Sequence, residues 1–439
     1  MRTELTGGCV RRKKECKAGD YDRGRLRTLV YFERAYLLSE KNLTGEAYGE
    51  FRKGFDTSSL LAMDESNIST HLWILCGALY EGVDTFREIS EILEWLFKNF
   101  PNRLGEYTGI ITFVFTDPYM TKLREEDRET YEAISCDLLS FLFKCLEIKH
   151  ATRIDDLSES NVVYYTRADH LRLLFEDEEE ACHYRLPLFH VNHMNDPQEG
   201  TLVRQVIGIR EKDKSVSGRR IYENDHVYLK SFFKHDSREG SFEFLPMWIQ
   251  YADDAKGCCV VFDARTFGNH ALREVIYMSD AGECVHAGKA CDSKRYETIQ
   301  EGIDSLREIY KDYEIRKCVT LDISKDPRIE DSYAGMDELV DHAMSQISYL
   351  FKHETYKHEN EVRLIVEEND IEKVRVIGGK VPKVYVYNDS QTYIGEIVLG
   401  PKMKEPNNFV NYLYNQCEKM WSSVGKNPVK ITKSSLLFR

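Results

Sequence analysis

Residues 356–366 read Tyr-Lys-His-Glu-Asn-Glu-Val-Arg-Leu-Ile-Val, and the rest of the chain can be interpreted around them. A charged segment here meets an alternation of apolar and polar residues, which predicts a half-buried strand that begins at about Glu361. Side chains two residues apart on a strand share a face, so Glu359 and Glu361 should stand side by side. Neighbouring carboxylates raise each other's pKa by like-charge repulsion, and such a pair suits ionic chemistry.

The same spacing also fits a structural interpretation. Glu359, Glu361 and Arg363 would then form a solvated polar face, opposite the apolar side chains of the same strand. Spacing alone favours this second interpretation, so a catalytic role for the two glutamates requires partners elsewhere in the chain.

The composition indicates a folded chain with a large core. Its 439 residues are 42% hydrophobic and 12% aromatic, which is enough for two or three domains. No apolar run approaches the length of a membrane span, and the basic run at residues 11–14 is not followed by the apolar segment of a secretory signal. We therefore expect a cytoplasmic protein without membrane contact. A formal net charge of −14 disfavours nucleic acid as a partner.

The twelve cysteines do not form a recognisable metal motif. The chain has no Cys-x-x-Cys pair, and Cys284, His286 and Cys291 lack both a fourth ligand nearby and the usual zinc spacing. The sequence predicts no metal site.

Three regions follow from the changes in pattern along the chain. Residues 1–20 are polar and basic and predict a flexible arm, while residues 21–155 carry apolar residues at three-to-four spacing. Helices are expected over 72–80, 86–100 and 128–148, which resemble a helical bundle or a helical-repeat array. Residues 156–439 predict an α+β domain.

Short strands and inserted helices alternate in this last region. The predicted strands cover 162–166, 186–190, 227–233, 245–251, 258–262, 374–377, 384–387 and 396–399, and the predicted helices cover 168–175, 301–313, 336–353 and 408–422. The predicted fold class is therefore α+β: an N-terminal helical region followed by a mixed, mainly antiparallel β-sheet domain with inserted helices.

Six motifs in a fixed order give residues 161–402 a family resemblance. They are Tyr164-Tyr165-Thr166 with a helix behind it, Met194-Asn195-Asp196-Pro197 with Glu199, Lys230-Ser231-Phe232, Trp248 and Tyr251-Ala252 with Gly257 and Phe262-Asp263, Glu359 and Glu361 with Arg363, and Ile397-Val398-Leu399-Gly400-Pro401. This order resembles a bacterial family known as domain of unknown function (DUF) 2971. The resemblance implies a domain that is often attached to other modules, and the family name supplies no activity.

A more distant resemblance is to ADP-ribosyltransferases, which carry three motifs in the same order along the chain. These are a first-strand motif, a Ser-x-Ser on a middle strand and a catalytic glutamate, sometimes within Glu-x-Glu, on a later strand. It implies that Tyr164, Tyr165 and Thr166 hold the nicotinamide end of NAD, that Ser231 holds a ribose hydroxyl, and that Glu361 is catalytic. Glu359 would orient the nucleophile or accept its proton, and Arg363 or Arg167 would contact the pyrophosphate. Tyr164 stands where many members of the DUF2971 family and some ADP-ribosyltransferases have histidine, and Phe233 stands where the second serine of Ser-x-Ser belongs.

Two hypotheses about function follow. The first is an enzyme that cleaves NAD and transfers ADP-ribose, or hydrolyses NAD, as a toxin or an anti-phage effector. The second is a non-catalytic interaction or nucleotide-sensing module whose helical domain binds a protein partner. The first requires Glu361 and Ser231 to lie on adjacent strands and to face one concavity, in a cleft that Tyr165 also lines. Two glutamates salt-bridged to basic neighbours on an outer surface would rule it out. It also leads us to expect that Glu361→Gln abolishes NAD turnover and leaves the thermal midpoint nearly unchanged.

Overall fold

A computed structural model of the chain describes single positions and short runs between Ala47 and Arg124, and most of the chain from Asp127 onward. The longer described stretches are 127–154, 156–175, 184–194, 200–209, 226–237, 241–267, 272–285, 293–324, 326–368, 371–378, 382–388, 392–424 and 429–436. Within these residues, none of the helices has the length and apolar character that crossing a membrane requires.

Several predictions fall on residues that the structure does not describe. They are the arm over 1–20, most of the helices expected over 72–80 and 86–100, and Asn195-Asp196-Pro197. The described apolar positions of this N-terminal part, such as Phe51, Leu72 and Leu93, are helical and buried. The predicted domain boundaries stay predictions.

The chain divides into two compact units. One comprises residues 1–139 and 319–339, and the other comprises residues 140–318 and 340–439. The described strands and the residues discussed below belong to the second unit.

The described helices and strands are numbered in chain order. The α-helices are α1 Arg128–Ala151, α2 Ala168–Leu171, α3 Leu202–Ile207, α4 Leu245–Tyr251, α5 Ser293–Ile323, α6 Pro327–Ser348 and α7 Pro406–Val424. The strands are β1 Arg153–Ile154, β2 Ser160–Thr166, β3 Pro187–His190, β4 Val227–Asp236, β5 Cys258–Phe262, β6 Leu272–Glu274, β7 Ile276–Met278, β8 Cys284–Val285, β9 Phe351–His353, β10 Glu361–Glu367, β11 Arg375–Ile377, β12 Lys383–Tyr387, β13 Ile394–Leu399 and β14 Lys430–Lys433. Short 3₁₀ helices cover Arg172–Leu174, Val191–His193, Ala264–Phe267, Glu354–Glu359 and Ile371–Lys373.

The strands form a large mixed sheet and a small one. The large sheet has the order β1-β6-β10-β4-β2-β5-β13-β14, and β3 extends it from β4 through β12 to β11. Its pairs are antiparallel except for β13 with β14, so the predicted mixed, mainly antiparallel α+β fold is confirmed. The small sheet has the order β8-β7-β9, with β9 parallel to β7.

The centre of the large sheet is buried on both faces. Val162, Phe232 and Val362 belong to one apolar cluster, and we call this side the Phe232 face. Val163 and Phe233, the next residues along β2 and β4, belong to a second cluster on the Phe233 face. Successive side chains of a strand point to opposite faces, which is why adjacent valines and phenylalanines of β2 and β4 enter different clusters.

Residues 245–251 form helix α4, and the expected strand there is wrong. Proline is compatible with the first helical turn, where its missing N–H costs no hydrogen bond, and Pro246 lies there. The adjacent Met247 and Trp248 are both buried, whereas Leu245 and Ile249, four residues apart, are both exposed. This is the periodicity of a helix, because a half-buried strand would alternate residue by residue.

The turn between α4 and β5 has a left-handed backbone. Asp253, Asp254 and Ala255 have φ values of 52°, 53° and 65°. The turn closes with a hydrogen bond from the N–H of Gly257 to the carbonyl oxygen of Ala252, at 2.8 Å. A Cβ at Gly257 would lie 2.2 Å from a backbone carbonyl oxygen, so this position requires glycine.

Candidate functional site

Glu359 and Glu361 stand at the junction of two elements. Glu359 is the last residue of the 3₁₀ helix Glu354–Glu359, and Glu361 is the first residue of β10. Asn360 between them has a φ of 39°, in the left-handed region that asparagine tolerates better than most residues. The strand begins at Glu361 as predicted, but the expectation that both glutamates extend from one strand is wrong.

Lys352 brings the two carboxylates together. Its Nζ lies 2.5 Å from Oε2 of Glu359 and 3.0 Å from Oε2 of Glu361. Strand β9 positions this lysine, and Tyr277 lies beside it on β7 and accepts the backbone N–H of Glu361 at 3.0 Å. The small sheet therefore supplies the cation and part of the backbone support for the glutamates of the large sheet.

Arg363 holds the other side of Glu361. Its Nε donates to Oε1 of Glu361 at 2.7 Å, and its Nη1 donates to the carbonyl oxygen of Tyr349 at 2.6 Å. We call Lys352, Glu359, Glu361 and Arg363 the four-residue ion cluster. Two acids and two bases make its formal charge zero.

The ion cluster is buried. Glu359 is 2% exposed, Glu361 5%, Arg363 1% and Lys352 7%. The interpretation of these residues as a solvated polar face is therefore wrong. Burying charges is costly unless they are paired and hydrogen-bonded, and in this cluster they are.

The pKa of Glu361 departs from the sequence expectation in sign. Burial by itself would raise it, but the charges of Arg363 and Lys352, together with hydrogen bonds from Arg363 and Ser231, lower the pKa of this carboxyl to about 2. The predicted rise of the pKa by like-charge repulsion is wrong for Glu361. The attraction of the two adjacent cations outweighs the repulsion from Glu359.

Helix α4 connects the cluster to the surface. The hydroxyl of Tyr251 donates to Oε1 of Glu359 at 2.5 Å, and Nε2 of Gln250 donates to the same oxygen at 3.4 Å. Tyr251 is half-buried and Gln250 is exposed. Burial and the neighbouring charge of Glu359 raise the pKa of Tyr251, so its hydroxyl stays a proton donor to Glu359 at neutral pH.

Ser231 meets Glu361 across neighbouring strands. In the antiparallel pairing of β10 with β4, Arg363 lies opposite Ser231 and Glu361 lies opposite Phe233. Directly opposed residues share a face, so these side chains all lie on the Phe233 face. The hydrogen bond of Ser231 contributes to the low pKa of Glu361.

Tyr165 lies on the Phe233 face too, but its hydroxyl and ring are already in use. The hydroxyl donates to the carbonyl oxygen of Phe242 at 2.8 Å and accepts the N–H of Phe244 at 3.0 Å. The ring packs edge-on against Trp248, with 5.2 Å between the centroids. In the described arrangement Tyr165 is a packed core residue.

Tyr164 and Thr166 lie on the opposite side of the sheet. They alternate with Tyr165 along β2, and Tyr164 packs with the Phe232 cluster. The Nζ of Lys230 lies 3.6 Å from the centroid of the Tyr164 ring. The structure therefore brings Glu359, Glu361, Ser231 and Arg363 together and separates Tyr164 and Thr166 from them.

Sequence reasoning missed Lys352, Tyr277 and Gln250, and it named Tyr251 only as part of a family motif. Lys352 lies within residues 336–353, where a helix is predicted, but the structure places it on strand β9. No sequence signal singles out Lys352, Tyr277 or Gln250. Among the residues that the structure describes, no group of three or more His, Cys, Asp or Glu side chains could hold a metal ion.

Comparison with known proteins gives one family match. Residues 247–364 match the family described as "Protein of unknown function (DUF2971)". The resemblance predicted from the motifs is thereby confirmed over a segment that runs from α4 into β10 and includes Tyr251, Lys352 and both glutamates. No curated protein matches the chain, and no solved structure matches it.

Proposed function

We propose that the chain is an NAD-cleaving enzyme of the ADP-ribosyltransferase type, in which Glu361 is the catalytic carboxylate. The observation that carries this proposal is the position of Glu361 and Ser231 on adjacent strands of the Phe233 face, joined by a hydrogen bond. Side chains on opposite faces would have ended the hypothesis, and ion pairs on an outer surface would have done so too, whereas the ion pairs of Glu359 and Glu361 are buried. The hypothesis also requires a cleft in front of Ser231 and Glu361, and Tyr165 is not assigned to its lining.

The ionised state of Glu361 suits the reaction. Cleavage of the bond between nicotinamide and ribose develops positive charge on the ribose, and a fixed carboxylate lowers the energy of that state. A pKa of about 2 keeps Glu361 ionised throughout the physiological range. Arg363 and Lys352 fix its position, and Ser231 is placed to exchange its bond to Glu361 for one to a ribose hydroxyl.

Glu359 and Tyr251 would handle the proton of the incoming nucleophile. Their 2.5 Å hydrogen bond lies on the side of the cluster where Tyr251 and Gln250 reach the surface. An acceptor or water that enters there would meet Glu359 before Glu361. A carboxylate in hydrogen-bond reach of the nucleophile is the geometry of a general base.

The NAD-binding roles differ in support. Ser231 keeps its role in the proposal. Arg363 is 1% exposed and its Nε and Nη1 are both bonded within the protein, so we no longer assign it the contact to pyrophosphate. Tyr164 and Thr166 lie on the Phe232 face and would not contact the same part of a ligand as Glu361. Tyr165, whose hydroxyl bonds the backbone of Phe242 and Phe244, is not assigned a contact to nicotinamide.

The test is nicotinamide release from NAD by the purified chain, with and without cell lysate, followed by detection of label transferred from NAD. The wild type should release nicotinamide, and Glu361→Gln should reduce the rate at least about a hundredfold. Glu396→Gln is a matched control, because Glu396 is an ion-paired carboxylate on strand β13 that bonds Lys430 at 3.0 Å. Every variant is assayed at a temperature where unfolding measurements show it to be native.

Equal rates for Glu361→Gln and Glu396→Gln would contradict the catalytic assignment. Toxicity on expression in bacteria, lost in Glu361→Gln and retained in Glu396→Gln, would support an effector role against cells or phage. No nicotinamide release with any lysate would refute the enzyme proposal.

A second function is favoured by the burial and neutrality of the ion cluster. Each carboxylate oxygen of Glu361 contacts a cation, Lys352 or Arg363. Such pairing is what a purely structural cluster that fixes β10 to β9 would need. In this alternative the chain is an interaction or nucleotide-sensing module, and an N-terminal helical bundle binds a protein partner. Binding of NAD without nicotinamide release, measured by calorimetry, would favour this function over the first.

A further inference from the structure

Lys230 is a buried cation on the side of the sheet opposite the ion cluster. It lies in the middle of β4 on the Phe232 face and is 3% exposed. Its Nζ lies over the ring of Tyr164, at 3.6 Å from the centroid, and 3.4 Å from the carbonyl oxygen of Pro187. Throughout the described part of the chain, no carboxylate lies within ion-pair distance of it.

A buried ammonium without a counter-charge is unfavourable. Its desolvation is costly, and the hydroxyl and ring of Tyr164 together with one carbonyl oxygen, none of which carries a full negative charge, offset only part of that cost. Burial accordingly lowers the pKa of Lys230, and its interaction with Tyr164 opposes that change. By contrast, Lys352 on the other face has two carboxylates, and their charges raise its pKa against the effect of burial. Among the described residues, Lys230 therefore lacks the anion that its counterpart has.

The surroundings of Lys230 add positive charge rather than remove it. The Nζ atoms of Lys383 and Lys230 lie 5.9 Å and 6.0 Å from the centroid of the same ring, that of Phe189. The charges of Lys383 and Lys230 also act on His170, whose pKa is lowered first by burial and then by these cations. Asp169 is a nearby acid, and it is already paired with Arg167 at 3.1 Å.

We propose that Lys230, Tyr164 and Lys383 form a binding site for a phosphate-type oxyanion, which supplies the counter-charge that Lys230 lacks. Two ammonium groups and the ring of His170 offer several donors, which suits a tetrahedral anion with several acceptor oxygens. The hydroxyl of Tyr164 bonds Lys230 and Thr166 and so fixes the side of the site that Lys230 lines. Tyr164, Lys383 and His170 are half-buried, so the site opens toward the surface on their side. This site lies across the sheet from Glu361 and does not depend on the proposed function.

Binding at this site is linked to proton uptake. An anion beside Lys230 favours its charged form, so binding raises the pKa of Lys230 and the complex takes up a proton. An anion there also favours the protonated forms of His170 and Tyr164. The other charged groups that face the site are Lys383 and the ion pair of Arg167 with Asp169. Binding should therefore be tighter at pH 6.0 than at pH 8.5.

The test uses sulfate, whose charge does not change over this pH range. Thermal unfolding of the full chain is followed while sodium sulfate replaces sodium chloride at constant ionic strength, and phosphate and acetate are compared at pH 7. Sulfate also stabilises proteins generally, so the measured quantity is the response of each variant relative to Lys402→Met. Lys402 is a suitable control, since it is a partly exposed lysine paired with Asp254 at 3.0 Å.

Sulfate should stabilise the wild type and Lys402→Met alike, with saturation and with tighter binding at pH 6.0. Lys230→Met and Lys383→Met should each weaken binding about tenfold or more. Methionine at position 230 is unbranched like lysine but carries no charge. If the Lys230→Met variant does not fold, the Lys383→Met variant, at a half-buried position, provides the test. Equal responses in all four proteins would overturn the proposal, and a response to acetate as strong as that to phosphate would overturn the assignment to a phosphate-type anion.

Discussion

Glu361→Gln should reduce the free energy of unfolding in a pH-dependent way. The pKa of Glu361 falls from its ordinary value of 4.5 to about 2 in the folded chain. One pKa unit corresponds to about 1.4 kcal/mol, so the ionised side chain contributes about 3 kcal/mol at pH 7. Glutamine keeps the volume but not the charge, and it leaves Arg363 and Lys352 with one anion between them.

The sign of the pH dependence follows from a pKa that is lower in the folded state. The contribution is fully present above pH 4.5, the pKa of the unfolded chain, and is lost as the pH falls toward about 2. The difference between wild type and Glu361→Gln should therefore shrink from about 3 kcal/mol at pH 7 to roughly half of that at pH 3. The assay is urea unfolding followed by tryptophan fluorescence at a series of pH values.

The matched control is Glu396→Gln on β13. Glu396 is more exposed than Glu361, with 19% of its side chain accessible, so its ion pair should be worth less than about 1 kcal/mol. A constant difference for Glu361→Gln between pH 7 and pH 3, or a cost as small as that of the control, would refute the reasoning. The expectation from sequence that this variant leaves the thermal midpoint unchanged is replaced, because Glu361 is buried and ion-paired.

Substitutions at three further positions, Lys352, Tyr251 and Gly257, test the site and its support. Lys352→Met leaves two adjacent buried carboxylates without their shared cation and should lower the free energy of unfolding in urea by about 3 kcal/mol or more. The double variant with Glu359→Gln should recover part of this loss, and additive effects of the two substitutions would contradict the coupling. Tyr251→Phe removes one hydrogen bond to a buried carboxylate and should cost about 1–2 kcal/mol, which an unchanged thermal midpoint would disprove. Gly257→Ala places a Cβ 2.2 Å from a backbone oxygen and should lower the free energy of unfolding by about 2 kcal/mol or more. In Gly378→Ala the added Cβ has no atom within 4 Å, so the free energy should change by less than about 0.5 kcal/mol. Equal unfolding midpoints for the two variants would contradict the steric argument.

The sequence predicted the long elements well, because they carry a clear period. Strands β2, β4, β5 and β10 are rich in β-branched and aromatic residues, and each lies where the alternation places it. Strands of two to four residues, such as β6 and β9, show no period that could be read, and the helix Leu245–Tyr251 is too short for its period to stand out.

The candidate site was only partly predictable for a different reason. Glu359, Glu361, Ser231 and Arg363 could be named because a motif order links them. The sign of a pKa shift, however, depends on which charges lie within a few ångströms, and Lys352 reaches Glu361 through a different sheet. No local pattern encodes that contact. Strand alternation shows which face Tyr164 shares with Glu361 only after the registers of β2 with β4 and of β4 with β10 are known. Those registers are set by the folded structure and not by any one segment of sequence.

The left-handed turn at Asp253, Asp254 and Ala255 has a consequence for how the surface side of the site is held. Left-handed backbone costs an L-amino acid roughly 1–2 kcal/mol per residue, so a free peptide with this sequence would not keep the turn. The folded chain holds it through a backbone bond from Ala255 to Trp248 within the segment, and through bonds from Lys402 to Ala255 and from Gly400 to Gly257, which tie the segment just before β5 to residues just after β13. The orientation of Tyr251 is thus imposed from outside its own segment, and a synthetic fragment spanning α4 and β5 would lose the half of the site that faces solvent.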